Sequence, residues 1–427
     1  MPPRVSLGAF LANARSALTA PQRASPLTLV VGNESAGTRD AQGFGIYFST
    51  YRETDGSFLF TNQSDLDSLC SAVVYAYLRS HAAPHTLHIP ISNLPRDDLK
   101  LRPEMTAALA HAKLKPSDLL TLDEIPQDLA AKDSRWILVD HNALTGDLAK
   151  KYSSSVVGCV DHHADDHKVP RDTGDEPRVV EKCGSCASLV VDYCRSAWED
   201  LAKPENGASD VDEHLARLSL AAILIDTTNL KSKDKTTNKD TCAVSFLEKF
   251  TSGRDAFFDE ISAVKEDISS LGFRDVFRKD YKQWEDLGEG FEASSRHQVM
   301  GVSAIVQNLE YLLEKDGGDD NVLLGEFKKW AEEKKMDVGV IMTTSHPGGK
   351  FQRELLLWAF NENAVDYCKR FYQAYKDDLG LESWGEGRLD QVGEGEWRMA
   401  WHQKSLSNSR KQVAPMLRQT IKGGTKL

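Results

Sequence analysis

The sequence predicts an α/β protein of two domains, the first built on a mainly parallel sheet flanked by helices and the second smaller. Three observations predict it. The first half alternates short apolar strands with helical segments, the pattern of a parallel sheet covered by helices. Three of the apolar runs end directly in an acid, at Asp140, Asp161 and Asp226. From Val299 onward the spacing changes and a second set of strands and helices begins.

In chain order, Ser6–Leu18 has helical apolar spacing. Strands are expected at Leu27–Val31, His85–Ile89, Trp136–Val139, Ser155–Val160 and the Leu218–Ile225 run before Asp226. Helices are expected at Asp67–Arg79 and Cys186–Ala197. Residues 1–250 form the first domain, and 251–295 read as a charged helical connector. The second domain, 296–427, carries strands at Val302–Val306, Val338–Thr343, Glu354–Ala359 and Trp397–Trp401, with a helix at Val365–Lys376. In open parallel sheets the ligand crevice lies beyond the carboxyl ends of the strands. The acids after the strands are therefore expected at one edge.

Bulk properties narrow the function. The 427 residues suit two domains of ordinary size, and 41% hydrophobic with 27% charged residues is a globular composition. The apolar run Leu218–Ile225 is far short of a membrane span. Seven cysteines, an odd number, read as reduced thiols in the cytoplasm. Residues 1–33 carry Arg4, Arg15 and Arg23 and no acid, which suits a mitochondrial presequence as well as an ordinary first helix. A net charge of −12 repels long polyanions, so no nucleic-acid partner and no membrane is expected, and a monomer is favoured. A phosphate substrate must then be held by metal ions and a local basic cluster.

The chain offers a matching set of oxygen and imidazole donors: Asp65 and Asp67 in SDLDS, Asp140 in VDHN, Asp161-His162-His163 in VDHH, and Asp226 in IDTTN. Each is weak alone, because an acid after a strand is commonly a cap or turn residue. Their order within one α/β half is the specific signal. Such donors suit Mg²⁺ and Mn²⁺, and two such ions can activate water and neutralise a phosphoryl group together.

These motifs resemble the four metal-site motifs of the DHH superfamily, with VDHH matching the one that names it. GSCASL at Gly184–Leu189 is similar to a further motif of that group, and Ser409-Arg410-Lys411 resembles the basic signature of the DHHA2 domain. The resemblance runs from about residue 27 to 420 and points to exopolyphosphatases of the yeast type, because Asn33 in VGNESA stands where pyrophosphatases have a histidine. It implies a DHH domain and a smaller DHHA2 domain with the active site in the cleft between them. It implies two divalent cations, Mg²⁺ or Mn²⁺, with Mg²⁺ at least as effective. Asp140 would bridge them, Asp65 would bind one with Asn33 nearby, and Asp67, His162 and Asp226 would bind the other. His163 would contact nucleophile or phosphate, and Asp161 would orient the histidines. Ser409, Arg410 and Lys411 would hold substrate, with His346, Lys350 and Arg353 as a weaker basic set. His141 and Asn142 suit either a supporting role or a turn. The Cys183–Cys186 pair lacks two further ligands for zinc and reads as packing at a helix start.

One departure stands out. The family pattern runs GNESADLDS unbroken, whereas Gly37–Ser64 interrupts it here. The interruption reads as a surface insertion whose ends meet or as a translated intron, since Gly37 can be encoded GGT and Ser64-Asp65 TCA-GAY. The expected activity is release of orthophosphate from inorganic polyphosphate. Pyrophosphate hydrolysis and nucleotide phosphodiester cleavage are the neighbouring enzyme readings. A catalytically weak, prune-like binding protein is the alternative if the insertion is real.

Overall fold

A computed structural model describes residues 4–33, 65–203, 210–286, 298–393 and 395–421. The interruption at 37–64 lies outside the described residues, and so does the side chain of Asp65. The chain divides into two units, Met1–Lys265 and Glu266–Leu427.

The first unit runs α1 (Leu7–Thr19), β1 (Leu27–Val31), α2 (Asp65–His81), β2 (His88–Ile91), α3 (Pro103–His111), β3 (Ser134–Val139), α4 (Gly146–Tyr152), β4 (Val156–Asp161), β5 (Arg178–Val180), α5 (Cys186–Leu201), α6 (Val211–Thr227), α7 (Asn238–Leu247) and α8 (Arg254–Glu266). Its strands pair in parallel in the order β2-β1-β3-β4-β5. β1, LTLVV, is buried along its whole length, as a strand covered on both faces requires. Chain order and sheet order part company between β1 and β3, where doubly wound sheets bind ligands. The carboxyl ends of β1, β3 and β4 deliver Asn33, Asp140 and Asp161 there.

The first helix belongs to this core. Leu7, Phe10, Leu11, Ala14 and Leu18 are buried, and Arg4 makes two bonds to the Asp212 carboxylate at 2.7 and 2.6 Å. Phe257 and Ile261 of α8 belong to the same core.

Leu218–Ile225 corrects an expectation: it is the second half of α6, so Asp226 lies in the last turn of a helix instead of at a strand end. Leu218, Leu220, Ala221, Ala222, Ile223 and Leu224 are all buried, so nearly every face is covered and no periodicity shows. Length and the good helix formers Leu and Ala decide such a case. The short β5 was not anticipated; its three residues are half-buried and carry little apolar signal.

The second unit contains α9 (Phe273–Lys279), β6 (Tyr281–Asp286), β7 (Gln298–Ile305), α10 (Leu309–Glu314), α11 (Asp320–Glu333), β8 (Val338–Ser345), β9 (Gln352–Ala359), α12 (Glu362–Leu379), β10 (Leu381–Ser383), β11 (Gln391–Gly393), β12 (Glu396–Gln403) and α13 (Arg410–Ile421). The sheet order is β10-β12-β9-β8-β7-β6, with β11 against β12; only β7 and β8 pair in parallel. Its core joins Val338, Val340, Leu355 and Leu357 to Phe371, Trp397, Trp401 and Val413. The registers Ser345↔Gln352 and His402↔Glu354 bring the end of β8, the start of β9 and the end of β12 to one edge of the sheet. No helix among the described residues is long and apolar enough to cross a membrane.

Candidate metal centre

The β3–α4 turn begins with Asp140 at φ 64°, a left-handed conformation that aspartate tolerates better than branched residues. Its amide donates to Val160 O at 3.0 Å and to Cys186 Sγ at 3.2 Å. Its carboxylate is buried. Oδ1 lies 3.0 Å from His162 Nε2, and Oδ2 accepts the Ser68 hydroxyl at 2.5 Å. Asp140, His162 and His163 present ligand atoms that all fall within 4.8 Å of one another.

The two histidines are held differently. His162 Nδ1 donates to Cys183 O at 3.0 Å, which turns Nε2 toward Asp140. His163 Nδ1 lies 2.8 Å from Asp161 Oδ1, and the same oxygen accepts the His163 amide at 3.2 Å. Asn142 donates to the other Asp161 oxygen at 2.5 Å and to Ala164 O at 2.8 Å. Asn142 therefore buttresses Asp161. His141 Nδ1 donates to Val139 O, and its buried Nε2 has no partner among the described residues.

Asp67, in the first turn of α2, is buried and meets the start of α5. Its Oδ1 accepts from Ser185 Oγ and Ala187 N, both at 2.9 Å, and Oδ2 accepts from Cys186 N at 2.7 Å. Asp67 and Asp226 stand outside the trio, yet their charges act on it. Burial, then the charge of Asp140, pushes the Asp67 carboxyl above its usual range. Burial, then Asp67, pushes Asp226 well above. Burial alone would lower His162; the Asp140 hydrogen bond and the charges of Asp140, Asp67 and Asp226 outweigh it and hold its pKa at about 10. Three buried carboxylates and one imidazolium are thus costly without a further cation. The donor set is carboxylate and imidazole with no thiolate facing it, which fits Mg²⁺ or Mn²⁺. Cys183 and Cys186 are buried thiols, and burial raises both, Cys183 to about 12.

Asn33 closes the β1 end. Its amide donates to Ser68 Oγ at 3.1 Å. Gly32 is needed beside it, because a Cβ there would lie 2.7 Å from Ser68 Cβ. Ser68 and Ser185 were not anticipated. Both lie inside motifs that drew attention for their acids and cysteines, and serine carries no metal signal of its own.

In the second unit the basic residues are placed as follows. Arg353, at the start of β9, is 7% exposed, donates through Nε to Leu406 O at 2.8 Å and lies 4.9 Å over the Phe351 ring. No carboxylate pairs with it among the described residues, and burial lowers its pKa. His346 and Lys350 are exposed. Arg410 is tied to Asp280, at 2.7 Å to the carboxylate and 2.9 Å to the carbonyl. Ser409 has a local task as well: its Oγ accepts the Lys411 amide and donates to Gln412 Oε1, which caps α13. Lys411 is exposed in the first turn of α13.

Both units match known families. Residues 58–223 match the DHH family, N-terminal domain, and residues 259–420 match the DHHA2 domain. A protein of Schizosaccharomyces pombe named "Putative exopolyphosphatase" is 31% identical over 86% of this chain and 91% of its own. "Exopolyphosphatase PRUNE1" of Rattus norvegicus is 28% identical over 78% of this chain, which spans 62% of that longer protein. A "Manganese-dependent inorganic pyrophosphatase" of Methanothrix thermoacetophila is 26% identical over 66% of this chain and 78% of its own. With its DHH motif at the carboxyl end of β4 and a DHHA2 domain following, this chain belongs to the DHH family.

Proposed function

We propose that this protein is a divalent-metal-dependent phosphoanhydride hydrolase, an exopolyphosphatase that releases orthophosphate from the ends of inorganic polyphosphate. The observation that carries the reading is the Asp140–His162–His163 cluster beside the buried carboxylates of Asp67 and Asp226. Similarity to the S. pombe protein supports the choice of substrate.

Asp65, Asp67, Asp140, His162 and Asp226 would hold two ions, Mg²⁺ or Mn²⁺. Such ions lower the pKa of bound water and neutralise phosphoryl charge. The protein's own groups do the rest. His163, fixed by Asp161, offers Nε2 to the attacking water or a phosphate oxygen; burial alone would lower its pKa, but the Asp161 hydrogen bond and the charges of Asp140 and Asp161 outweigh that and raise it. Arg353, Arg410 and Lys411 are the basic groups for the anionic chain, with Arg suited to bidentate contact and Lys to point-charge neutralisation. His346 and Ser409 complete the proposed substrate set, and Asn33 lies beside the metal ligands. The free thiols accord with a reducing compartment, for which we propose the cytoplasm.

The test is phosphate release from polyphosphate, with pyrophosphate and a dinucleotide in parallel, in Mg²⁺ and in Mn²⁺. The chain as written and a protein lacking Gly37–Ser64 are compared. Polyphosphate is expected as the preferred substrate, with Mg²⁺ at least as effective as Mn²⁺. Activity only in the shortened protein marks 37–64 as an artefact or an inhibitory element. Preference for pyrophosphate would replace the proposed substrate. Inactivity of both folded, metal-loaded proteins on every phosphoanhydride would replace catalysis with a binding role.

A further inference from the structure

Asp240, in the first turn of α7, is fully buried and collects six hydrogen bonds. Thr237 N and Oγ1 donate to Oδ2 at 2.7 Å, which is an ordinary helix cap. The other four come from a distant stretch. Gly184 N donates to Oδ2 at 3.0 Å; Cys183 Sγ, Ser185 N and Ser188 Oγ donate to Oδ1 at 3.1, 3.2 and 2.7 Å. A helix cap does not need them.

The segment so gathered touches the metal centre at two points. The Cys183 carbonyl accepts the Nδ1 proton of His162 and so aims Nε2 at Asp140. Two residues on, Ser185 Oγ, Cys186 N and Ala187 N converge on the Asp67 carboxylate. The fit around Asp240 leaves no slack: a Cβ on Gly184 would lie 2.8 Å from Asp240 Oδ2 and 2.7 Å from Thr227 Cγ2, next in sequence to Asp226.

We infer that Asp240 is a positioning residue of the metal centre, setting the direction of His162 and Asp67 through residues 183–188. This rests on the metal-centre reading above. An amide in place of the carboxylate would set an N–H₂ group against donors that need an acceptor. Outer partners of this kind typically change metal affinity by about 10- to 100-fold.

The experiment is Mn²⁺ binding to the full chain, read by electron paramagnetic resonance, with circular dichroism confirming folding at the same temperature. Asp240→Asn is compared with Thr237→Val, which removes one donor to Asp240. The control is Asp212→Asn, a buried hub bonded to Arg4 and Trp198 at the other end of α6. Asp240→Asn is expected to bind Mn²⁺ about 10- to 100-fold more weakly while folded, Thr237→Val less so, and Asp212→Asn to lose stability but keep its affinity. Wild-type affinity in folded Asp240→Asn overturns the inference, as does loss of affinity in Asp212→Asn in step with lost stability. If Asp240→Asn does not fold, unchanged affinity in Thr237→Val overturns it. Wild-type protein that binds no Mn²⁺ overturns the metal reading, and this inference with it.

Discussion

Ser68 and Asp140 share a 2.5 Å hydrogen bond across the switch point of the sheet, while Ser68 Oγ also accepts the amide of Asn33. One hydroxyl therefore ties the β1 end, the α2 start and the central carboxylate together. Ser68→Ala leaves the Asn33 amide without its acceptor and frees the Asp140 oxygen. The expected cost is about 1–3 kcal/mol of stability and at least a tenfold loss of metal affinity, of the order seen for outer metal partners. Urea unfolding of the metal-free protein and Mn²⁺ titration separate the two. A stability loss with unchanged affinity would leave Ser68 a packing residue.

Asp161 acts on His163 through two contacts from one oxygen. Burial would raise its pKa, but the His163 hydrogen bond and charge outweigh that and hold the carboxyl below its usual range. Asp161→Asn keeps the size and removes the charge that orients the ring. The expected result is a fall in kcat of about 10- to 100-fold with little change in KM, since partners that orient the groups of a metal site contribute on that scale. Steady-state kinetics on a short polyphosphate measures both. A rise in KM alone would place His163 in ground-state binding only.

Much of this centre is legible in the sequence, for identifiable reasons. Asp140 and Asp161-His162-His163 each follow an apolar run that is a strand, so position and chemistry coincide. Asp226 lies within electrostatic reach of Asp67 and Asp140 but on a helix, because a helix buried on nearly all sides looks like a strand in a short window. Asp240 was invisible: Thr237-x-x-Asp240 is a capping box in sequence, and only folding brings residues 183–188 onto it. Arg353 could be named but not weighed, since burial without a carboxylate partner is a property of the fold.

His88 on β2 gives the first unit a pH dependence that owes nothing to metal. The residue is 3% exposed, Nδ1 donates to Thr86 O, and Nε2 is buried with no partner among the described residues. Burial lowers its pKa from 6.5 to about 4. The unfolded chain therefore binds this proton more tightly, and stability is lost as pH falls from 6.5 toward 4. The contribution over that window is roughly 3 kcal/mol. Urea unfolding of metal-free protein between pH 7.5 and 4.5 should show it, and His88→Leu should remove close to one proton from the slope. An unchanged slope would assign the effect to other groups.

Arg353 offers the sharpest contrast between a structural and a functional role. A buried guanidinium without a carboxylate is costly to hold, and among the described residues it meets the Leu406 carbonyl and the Phe351 ring. A fold that needed only volume there would do as well with methionine. Arg353→Met is therefore expected to keep thermal stability within about 1 kcal/mol, the value of the single neutral hydrogen bond it loses. The same change should raise KM for polyphosphate about tenfold or more, as loss of a charge-assisted contact worth 1.5–3 kcal/mol implies. It should also flatten the dependence of KM on salt, because one cation fewer meets the anionic chain. Arg353→Lys should recover part of the loss, since charge returns without the planar fork. Kinetics at two ionic strengths, paired with a melting curve, decides the matter. An unaltered KM together with a large fall in stability would show that Arg353 serves the fold and not the substrate.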